Sequence, residues 1–435
     1  MATASGREQW QPAHLRRVVA ASLIGTSVEW YDFFLYNYAA ALVFNRLFFP
    51  KFDPTTGTIL AFATYALGFV ARPIGGVVFG HFGDRVGRKR LLIVSLVLMG
   101  LSTTLIGCLP TYGQVGIGAP VALVALRLVQ GFAVGGQWGG AVLLAAEHAE
   151  PRRRAFWASW PQAGVPAGNL IAVGVLALMA AVQSEADFAR WGWRVPFLLS
   201  IVLVALGWWI RSSVAESRTF EAEIAAEAPP KMPALDVFRE QKKGTLIGAG
   251  LRLGENVSYY IITAYSVVFL TEVQHMTRSA ALNATLAGAA IQLFAIPFFA
   301  HLADRFGRRP VYAFGGLGLA VFAFAFLPML ATRDMATITV AIAIALILHG
   351  AMYGPQAAFI AELFPTRYRY SGVSIAYQLT SIVAGSLAPI IAISLYKAYG
   401  TTLPVSAYVA ACCAVSGLTA LLARETKGVE LSDIR

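Results

Sequence analysis

Twelve apolar stretches, each long enough to cross a bilayer, decide what this chain can fold into. They fall at about 18–44, 57–81, 90–110, 119–147, 155–181, 193–212, 244–271, 280–303, 310–331, 337–361, 371–397 and 402–423. A helix rises about 1.5 Å per residue, so ~20 apolar residues span the ~30 Å hydrocarbon core. Inside that core every backbone N–H and C=O needs an internal partner, which only helices and closed barrels supply. A barrel would read as short alternating segments, so the long runs are transmembrane helices. Charge content agrees, at 13% against about 25% in soluble domains. Residues 1–18 are polar and basic, and the run after them carries Glu29 and Asp32. It therefore reads as a retained first helix rather than a signal-peptide core.

The chain also repeats itself. Gly80 to Arg90 reads GHFGDRVGRKR, and Ala300 to Pro310 reads AHLADRFGRRP. Asp84-Arg85 returns as Asp304-Arg305, and Gly87-Arg88 as Gly307-Arg308. The fourth run ends in Ala146-Glu147, then Pro151 and Arg152 to Arg154; the tenth ends in Ala361-Glu362, then Pro365, Arg367 and Arg369. The expected fold is an all-α membrane protein, with twelve transmembrane helices in two pseudo-symmetric six-helix bundles. The N-terminal bundle covers 1–212, a cytoplasmic linker with a short surface helix 213–243, and the C-terminal bundle 244–435. Parallel repeats of this kind place a substrate site between the halves near the bilayer midplane.

The net charge of +11 invites a nucleic-acid reading, but no soluble basic domain carries it. Most of the 34 Lys and Arg lie in alternate short loops and at the two ends; the opposite loops hold Arg46, Lys51, Arg190, Arg194, Arg278, Arg333 and Lys397. The positive-inside rule then puts both termini in the cytoplasm. Cys108, Cys412 and Cys413 sit in apolar runs without metal-ligand spacing, as small core residues. No metal is expected, and the glycine-rich runs lie inside apolar helices rather than after a strand, so no nucleotide loop is expected.

Charges within the apolar runs carry the chemistry, because a charge at mid-bilayer costs about 2.5–3.5 kcal/mol on insertion scales and is paired or functional. Glu29 and Asp32 are three apart and share a helix face. Two carboxylates in a dry site repel, and a proton held on one relieves the repulsion. With Glu255 they are the candidates for proton coupling; the bland alternative is static ion pairs with Arg72 and Arg127. Arg127 and Arg252 grip carboxylates through two parallel hydrogen bonds and are the candidate substrate arginines. Arg72, beside Pro73 and Gly75-Gly76, reads as a structural ion pair. Tyr36, Asn37, Gln130, Gln137, Trp138, Asn256, Tyr259, His349, Tyr353 and Gln356 complete the candidate substrate-binding set, with Gln162, Tyr377 and Gln378 as further path-lining residues. Each taken alone is more often interhelical glue than a ligand group. Gly131, Gly135 and Gly139 have small-xxx-small spacing, read as tight static packing.

GHFGDRVGRKR resembles the loop 2–3 signature of the major facilitator superfamily, and AHLADRFGRRP resembles its weaker second copy. RLVQGFAVG (127–135) resembles that superfamily's helix 4 pattern. SVEWYDFFLYNYAAALVF (27–44), FVARPIGG (69–76), QGFAVGGQWGGA (130–141), WGWRVPF (191–197) and YQLTSIVAGSLAP (377–389) resemble the metabolite:proton symporter subfamily. ALVFNRLFFP (41–50) and LRLGENVSYYIITAY (251–265) are similar to its shikimate-type permeases. The resemblance implies a monomeric, non-enzymatic symporter without cofactor in the inner membrane. It would import a small organic acid, shikimate-like or a dicarboxylate, with protons, by alternating access. It implies that helices 1, 4, 7 and 10 surround the cavity. It also implies that Asp84 faces Tyr370 to Gly372, that Arg85 or Arg88 pairs with Glu147, that Asp304 lies near the start of helix 5, and that Arg308 lies near Glu362. Such contacts would lock the inner mouth; otherwise these arginines only obey the positive-inside rule. Family members often have Glu where Gln137 stands, so no carboxylate role is carried to that position. The rivals are a proline or betaine symporter, whose long C-terminal coiled coil has no counterpart in the dozen residues after the last run, and a drug/proton antiporter. A membrane enzyme or receptor finds no metal cluster, cofactor motif or extra domain.

Overall fold

The computed structural model describes residues 12–52, 54–212 and 233–434, which are mostly helical and contain no strand. Twelve long helices run through these described residues. In the first half they are α1 (Pro12–Ala39), α2 (Pro54–Val86), α3 (Arg88–Cys108), α4 (Gly118–Glu147), α5 (Arg154–Val182) and α6 (Arg194–Ser212). The second half has α7 (Lys242–Tyr260), α8 (Arg278–Phe306), α9 (Arg308–Ala331), α10 (Met335–Ala361), α11 (Arg369–Thr380) and α12 (Leu403–Leu422). By length and hydropathy alone, α1, α3, α4, α8, α9, α10 and α12 suffice to cross a membrane.

Three interruptions are π-helical turns that continue α1 (Ala40–Phe44), α7 (Ile261–Tyr265) and α11 (Ser381–Ser386). Turns of this type insert one residue into the helical ladder and gather at functional sites. They split the run expected at 371–397 into two pieces, the second being Leu387–Tyr399. α1 begins at Pro12, earlier than the apolar pattern suggests, because Leu15, Val18 and Val19 are already buried. Of the expected linker, 213–232 lies outside the described residues; Pro233–Glu240 is a short helix with Val237 buried.

The packing repeats with the sequence. α1 lies on α5, α2 on α4 and α3 on α6; α7 lies on α11, α8 on α10 and α9 on α12. The halves meet by the same exchange, α5 against α8 and α11 against α2. α2 and α4 touch backbone to backbone, since a methyl group on Gly131 would run into the Gly68 carbonyl and one on Gly135 into that of Arg72. The small-residue spacing on α4 thus brings Arg72 and Arg127 to a common pocket.

The two repeated loops share one backbone trick. Gly87 has φ 110° and Gly307 φ 113°, a region that side-chain-bearing residues rarely enter, and each ends one long helix and starts the next. Gly87→Ala and Gly307→Ala should each destabilise the protein by about 1–3 kcal/mol. Gly174→Ala, on α5 with nothing within 4 Å of the added carbon, should be neutral or stabilise by about 0.5–1 kcal/mol. Thermal melts of the purified protein in one detergent check the contrast.

Candidate functional site

In the first half, Glu29 and Asp32 of α1 are buried, at 5% and 1% exposure. They line a narrow pocket with Phe33, Arg72, Arg127 and Gln130. Its free volume of about 10 Å³ is the room of about one water molecule. Two hydroxyls hold Asp32: Thr103 of α3 donates to Oδ2 at 2.9 Å, and Ser200 of α6 donates to Oδ1 at 2.6 Å. From Thr103 the bonds run on. Gln130 Nε2 donates to Thr103 Oγ1 at 2.5 Å, and Arg127 Nη1 donates to Gln130 Oε1 at 2.8 Å. Asp32, Thr103, Gln130 and Arg127 thus form one relay across α1, α3 and α4. Hydroxyl partners suit a carboxyl group in either protonation state, because a hydroxyl both donates and accepts. The Arg127 guanidinium also lies 3.9 Å over the Tyr36 ring, whose hydroxyl meets Thr64 at 2.5 Å.

A second buried cluster stands in the other half. Arg252 Nη1 pairs with Glu255 Oε2 along one face of α7. Glu255 Oε1 lies 3.0 Å from His349 Nε2 of α10, and Gln356 Nε2 donates to Oε2 at 3.3 Å. Gln356 Nε2 also reaches the Tyr312 hydroxyl of α9 at 2.9 Å. The far nitrogen of His349, Nδ1, lies 2.8 Å from Gln292 Nε2 of α8.

The two halves meet at an aromatic stack. Trp138 of α4 stacks on Tyr377 of α11, with ring centres 3.6 Å apart and planes 19° off parallel. Arg252 covers Tyr377 with its guanidinium 3.6 Å from the ring centre. Gln162 Nε2 of α5 donates to the Tyr353 carbonyl. Several buried polar atoms on these same helices have no hydrogen-bond partner among the described residues. They are both amide atoms of Gln137, Nε1 of Trp138, Nε of Arg252, and Oε1 of Gln162, Gln356 and Gln378. Buried polar atoms are ordinarily paired, and each one left over costs about 1–3 kcal/mol. These seven atoms offer hydrogen-bonding capacity to polar groups from outside the chain.

The face carrying the repeated loops is closed by charge. Asp84 accepts from the Tyr370 amide at 3.0 Å and the Ser371 amide at 2.8 Å, in the first turn of α11. Asp304 accepts from Ala155 at 3.1 Å and Phe156 at 2.8 Å, in the first turn of α5. Arg308 binds Asp304 at 2.7 Å and Glu362 at 3.2 Å. Arg154 reaches across to Glu362 at 2.8 Å, and Arg369 reaches across to Glu147 at 3.4 Å. Arg154 follows Glu147 by seven residues, and Arg369 follows Glu362 by seven. Each half therefore lends its arginine to the other half's glutamate. The C-terminal segment overlies this clasp: Val429 and Leu431 present carbonyls to Arg154 and Arg369 at 2.8 Å each, and Thr426 donates to Glu362 at 2.5 Å.

The structure departs from the sequence reading at several residues. Arg85 is exposed beside the His81 ring, at 3.5 Å, rather than at Glu147; it lies one turn on from His81, on the outer side of α2. The Arg88 side chain lies outside the described residues. Arg72, expected in an ion pair, instead sits 4.1 Å from the Phe69 ring centre and 4.7 Å from that of Phe33, in cation–π contact. Asn37 is half-buried and Asn256 buried, while Tyr259 packs between the rings of Trp30 and His349. Arg154 and Arg369 escaped notice as cross-links, although their equal spacing from Glu147 and Glu362 was visible. Thr103, Ser200 and Gln292 gave no signal, being single polar residues in apolar helices.

Arg154→Gln should lower the melting temperature, since breaking a buried ion pair costs about 3–5 kcal/mol. It should also lengthen spin-label distances between the α2–α3 and α8–α9 loops. Arg85→Gln, at an exposed site, should leave both readouts as in the parent.

Residues 22–389 and 253–433 match the family model of the Major Facilitator Superfamily. The chain is 42% identical over 416 residues to the Shikimate transporter of Escherichia coli K12, covering 95% of both proteins. It is 40% identical over 431 residues to the Inner membrane metabolite transport protein YhjE of the same organism, covering 98% of both. To that organism's Proline/betaine transporter it is 30% identical over 421 residues, 95% of this chain and 84% of the relative. Among solved structures, the proton:xylose symporter XylE bound to 6-bromo-6-deoxy-D-glucose matches with a TM-score of 0.77 at 18% identity, over 97% of this chain and 98% of that one. That likeness carries the two-bundle fold, and the sequence matches carry the kinship: the chain belongs to the Major Facilitator Superfamily and is a multi-pass membrane transporter, not an enzyme.

Proposed function

We propose that this transporter is a proton-coupled symporter importing a small organic acid across the inner membrane. The observation that carries the reading is the set of unpartnered buried polar atoms around Trp138, Tyr377 and Arg252, at the seam of the halves. Arg252 offers a carboxylate its fixed cation. Gln137, Gln162, Gln356 and Gln378 offer amide groups to hydroxyls or a second carboxylate. A shikimate-like acid or a dicarboxylate carries that complement of groups, and the likeness to the Shikimate transporter supports the same class. Tyr36, Asn37, Asn256, Tyr259 and Tyr353 complete the path wall in this reading.

Asp32 takes the coupling proton, with Glu29 as its like-charged neighbour and the Thr103–Gln130 relay carrying the change to Arg127. The one-water pocket is too small for an organic acid and suits a proton site. Access alternates as the bundle 1–212 rocks against the bundle 244–435 about the linker 213–243. The positive-inside rule puts both termini and the charged clasp on the cytoplasmic side. There Asp84, Glu147, Asp304, Arg308 and Glu362 hold the inner mouth shut, and the transporter works as a monomer in lipid. Glu255 beside Arg252 gives the site both signs of charge, which favours a zwitterion such as proline or betaine as the second reading.

The deciding measurement is uptake of a panel of labelled organic acids, proline and betaine into proteoliposomes, with and without a pH gradient. Acid uptake driven by inward protons is expected; uptake of the zwitterions alone would select the second reading. Asp32→Asn should cut gradient-driven uptake by roughly 10²-fold and spare exchange at equal pH. Arg252→Ala should raise KM for the acid by roughly tenfold or more; an unchanged KM would remove Arg252 from the site.

A further inference from the structure

We propose that His349 is a second proton-binding site, with Gln292 as its positioning residue, and that its protonation releases Arg252 from Glu255 to hold the substrate anion. The proposal rests on the organic-acid reading above.

His349 is 1% exposed, and both its ring nitrogens are engaged, Nε2 at Glu255 Oε1 and Nδ1 at Gln292 Nε2. A neutral imidazole donates through one nitrogen and accepts at the other. With the Gln292 amide donating to Nδ1, the ring proton stands on Nε2 and points at Glu255. A half-turn of the same amide presents Oε1 to Nδ1, which can then carry a second proton and donate it. An amide is thus the side chain that serves both the neutral ring and the imidazolium. A leucine would serve neither nitrogen, and a carboxylate would serve only the cation. Histidine is also the side chain whose ordinary charge change falls between about pH 5 and pH 8.

The surroundings give that proton a consequence. From α7, His349 faces Glu255, with Arg252 bound on the far side of the carboxylate, and the Tyr259 ring at 5.3 Å. Its own helix supplies the Tyr353 ring at 5.4 Å, and α8 supplies Gln292. α9 and α11 place Tyr312 and Tyr377 in the field of Glu255, and α5 adds the uncharged Gln162 at the Tyr353 carbonyl. Of the other buried charged groups on these helices and on α4, Arg127 belongs to the Asp32 relay, and Glu147, Arg154, Asp304, Arg308 and Arg369 belong to the clasp, with Glu362 just beyond α10. With a neutral ring, Arg252 and Glu255 balance each other. A proton from the aqueous side adds to the Nδ1 lone pair, and the cluster gains one positive charge. Glu255 then has two cations to share, and one organic carboxylate on Arg252 restores neutrality. Proton and anion therefore each favour the other's binding, by the same factor in both directions.

The test is solid-state NMR of the full-length protein in bilayers with ¹⁵N-labelled histidine. The His349 signals are assigned by their loss in His349→Asn, and shikimate serves as the probe anion. The expected result is a ring protonated on Nε2 alone in the absence of a proton load and an imidazolium when the sample is acidified, with shikimate favouring the imidazolium. Gln292→Glu should hold the imidazolium before and after acidification, and Gln292→Leu the neutral ring. Gln292→Leu should also lose gradient-driven shikimate uptake by roughly tenfold while keeping exchange at equal pH; a variant that fails to fold is replaced by Gln292→Met. A ring that stays neutral throughout in the parent, or Gln292 variants that change neither its state nor uptake, would overturn the proposal. A His349 that takes a proton and follows Gln292 but ignores shikimate would overturn the coupling to the anion, while the uptake panel of labelled acids decides the organic-acid reading separately.

Discussion

A carboxylate set against the open end of a helix is the interaction on which the two-bundle arrangement depends. The first amides of any helix lack partners within it, and the local dipole there favours negative charge. Asp84 answers two such amides of α11, and Asp304 answers two of α5. Each carboxylate comes from one half and each helix from the other. The bonds form only when the halves lie in one relative position, so they define a closed state rather than merely stabilising a fold. The glutamate–arginine exchange adds to this geometry without creating it, because Arg154 and Arg369 follow directly from the same helix starts.

Much of this was legible in the chain. Apolar run length gave the helices and the duplicated D-R-x-G-R loops the two bundles, while the approach of Asp84 to Tyr370 followed from the family resemblance alone. What stayed hidden has physical causes. Helix periodicity cannot reveal a π turn, since Ile261–Tyr265 and Ser381–Ser386 are as apolar as the helices they interrupt. Arg72 looked like half of an ion pair because a buried cation needs compensation; two phenyl rings, one a turn away on its own helix, supply it instead. Thr103 and Ser200 meet Asp32 from α3 and α6, and only tertiary packing brings those helices to α1. The carboxylates could be named from sequence, but the partners that decide their chemistry could not.

The interior holds two styles of polar site. The clasp is densely paired, with Arg154, Arg308, Glu362 and Arg369 bound to one another's partners and to backbone. The seam near Trp138 and Tyr377 is rich in amides with spare capacity. A membrane bundle tolerates such spare capacity only where an outside group can complete it. The division matches a molecule that holds one face rigidly while leaving its centre open to exchange.

The position of Val429 and Leu431 over Arg154 and Arg369 bears on how the molecule is made. A ribosome delivers the chain from its N-terminus, so Asp84 leaves it long before the α11 amides and Arg154 long before Glu362. The carbonyls that complete both arginines come from Val429 and Leu431, synthesised after every one of these residues. The first bundle must therefore be inserted with its clasp residues still facing water, and the seal over that face becomes complete only once Leu431 has been made. A nascent chain arrested before Val429 would emerge with the fold but without that final seal.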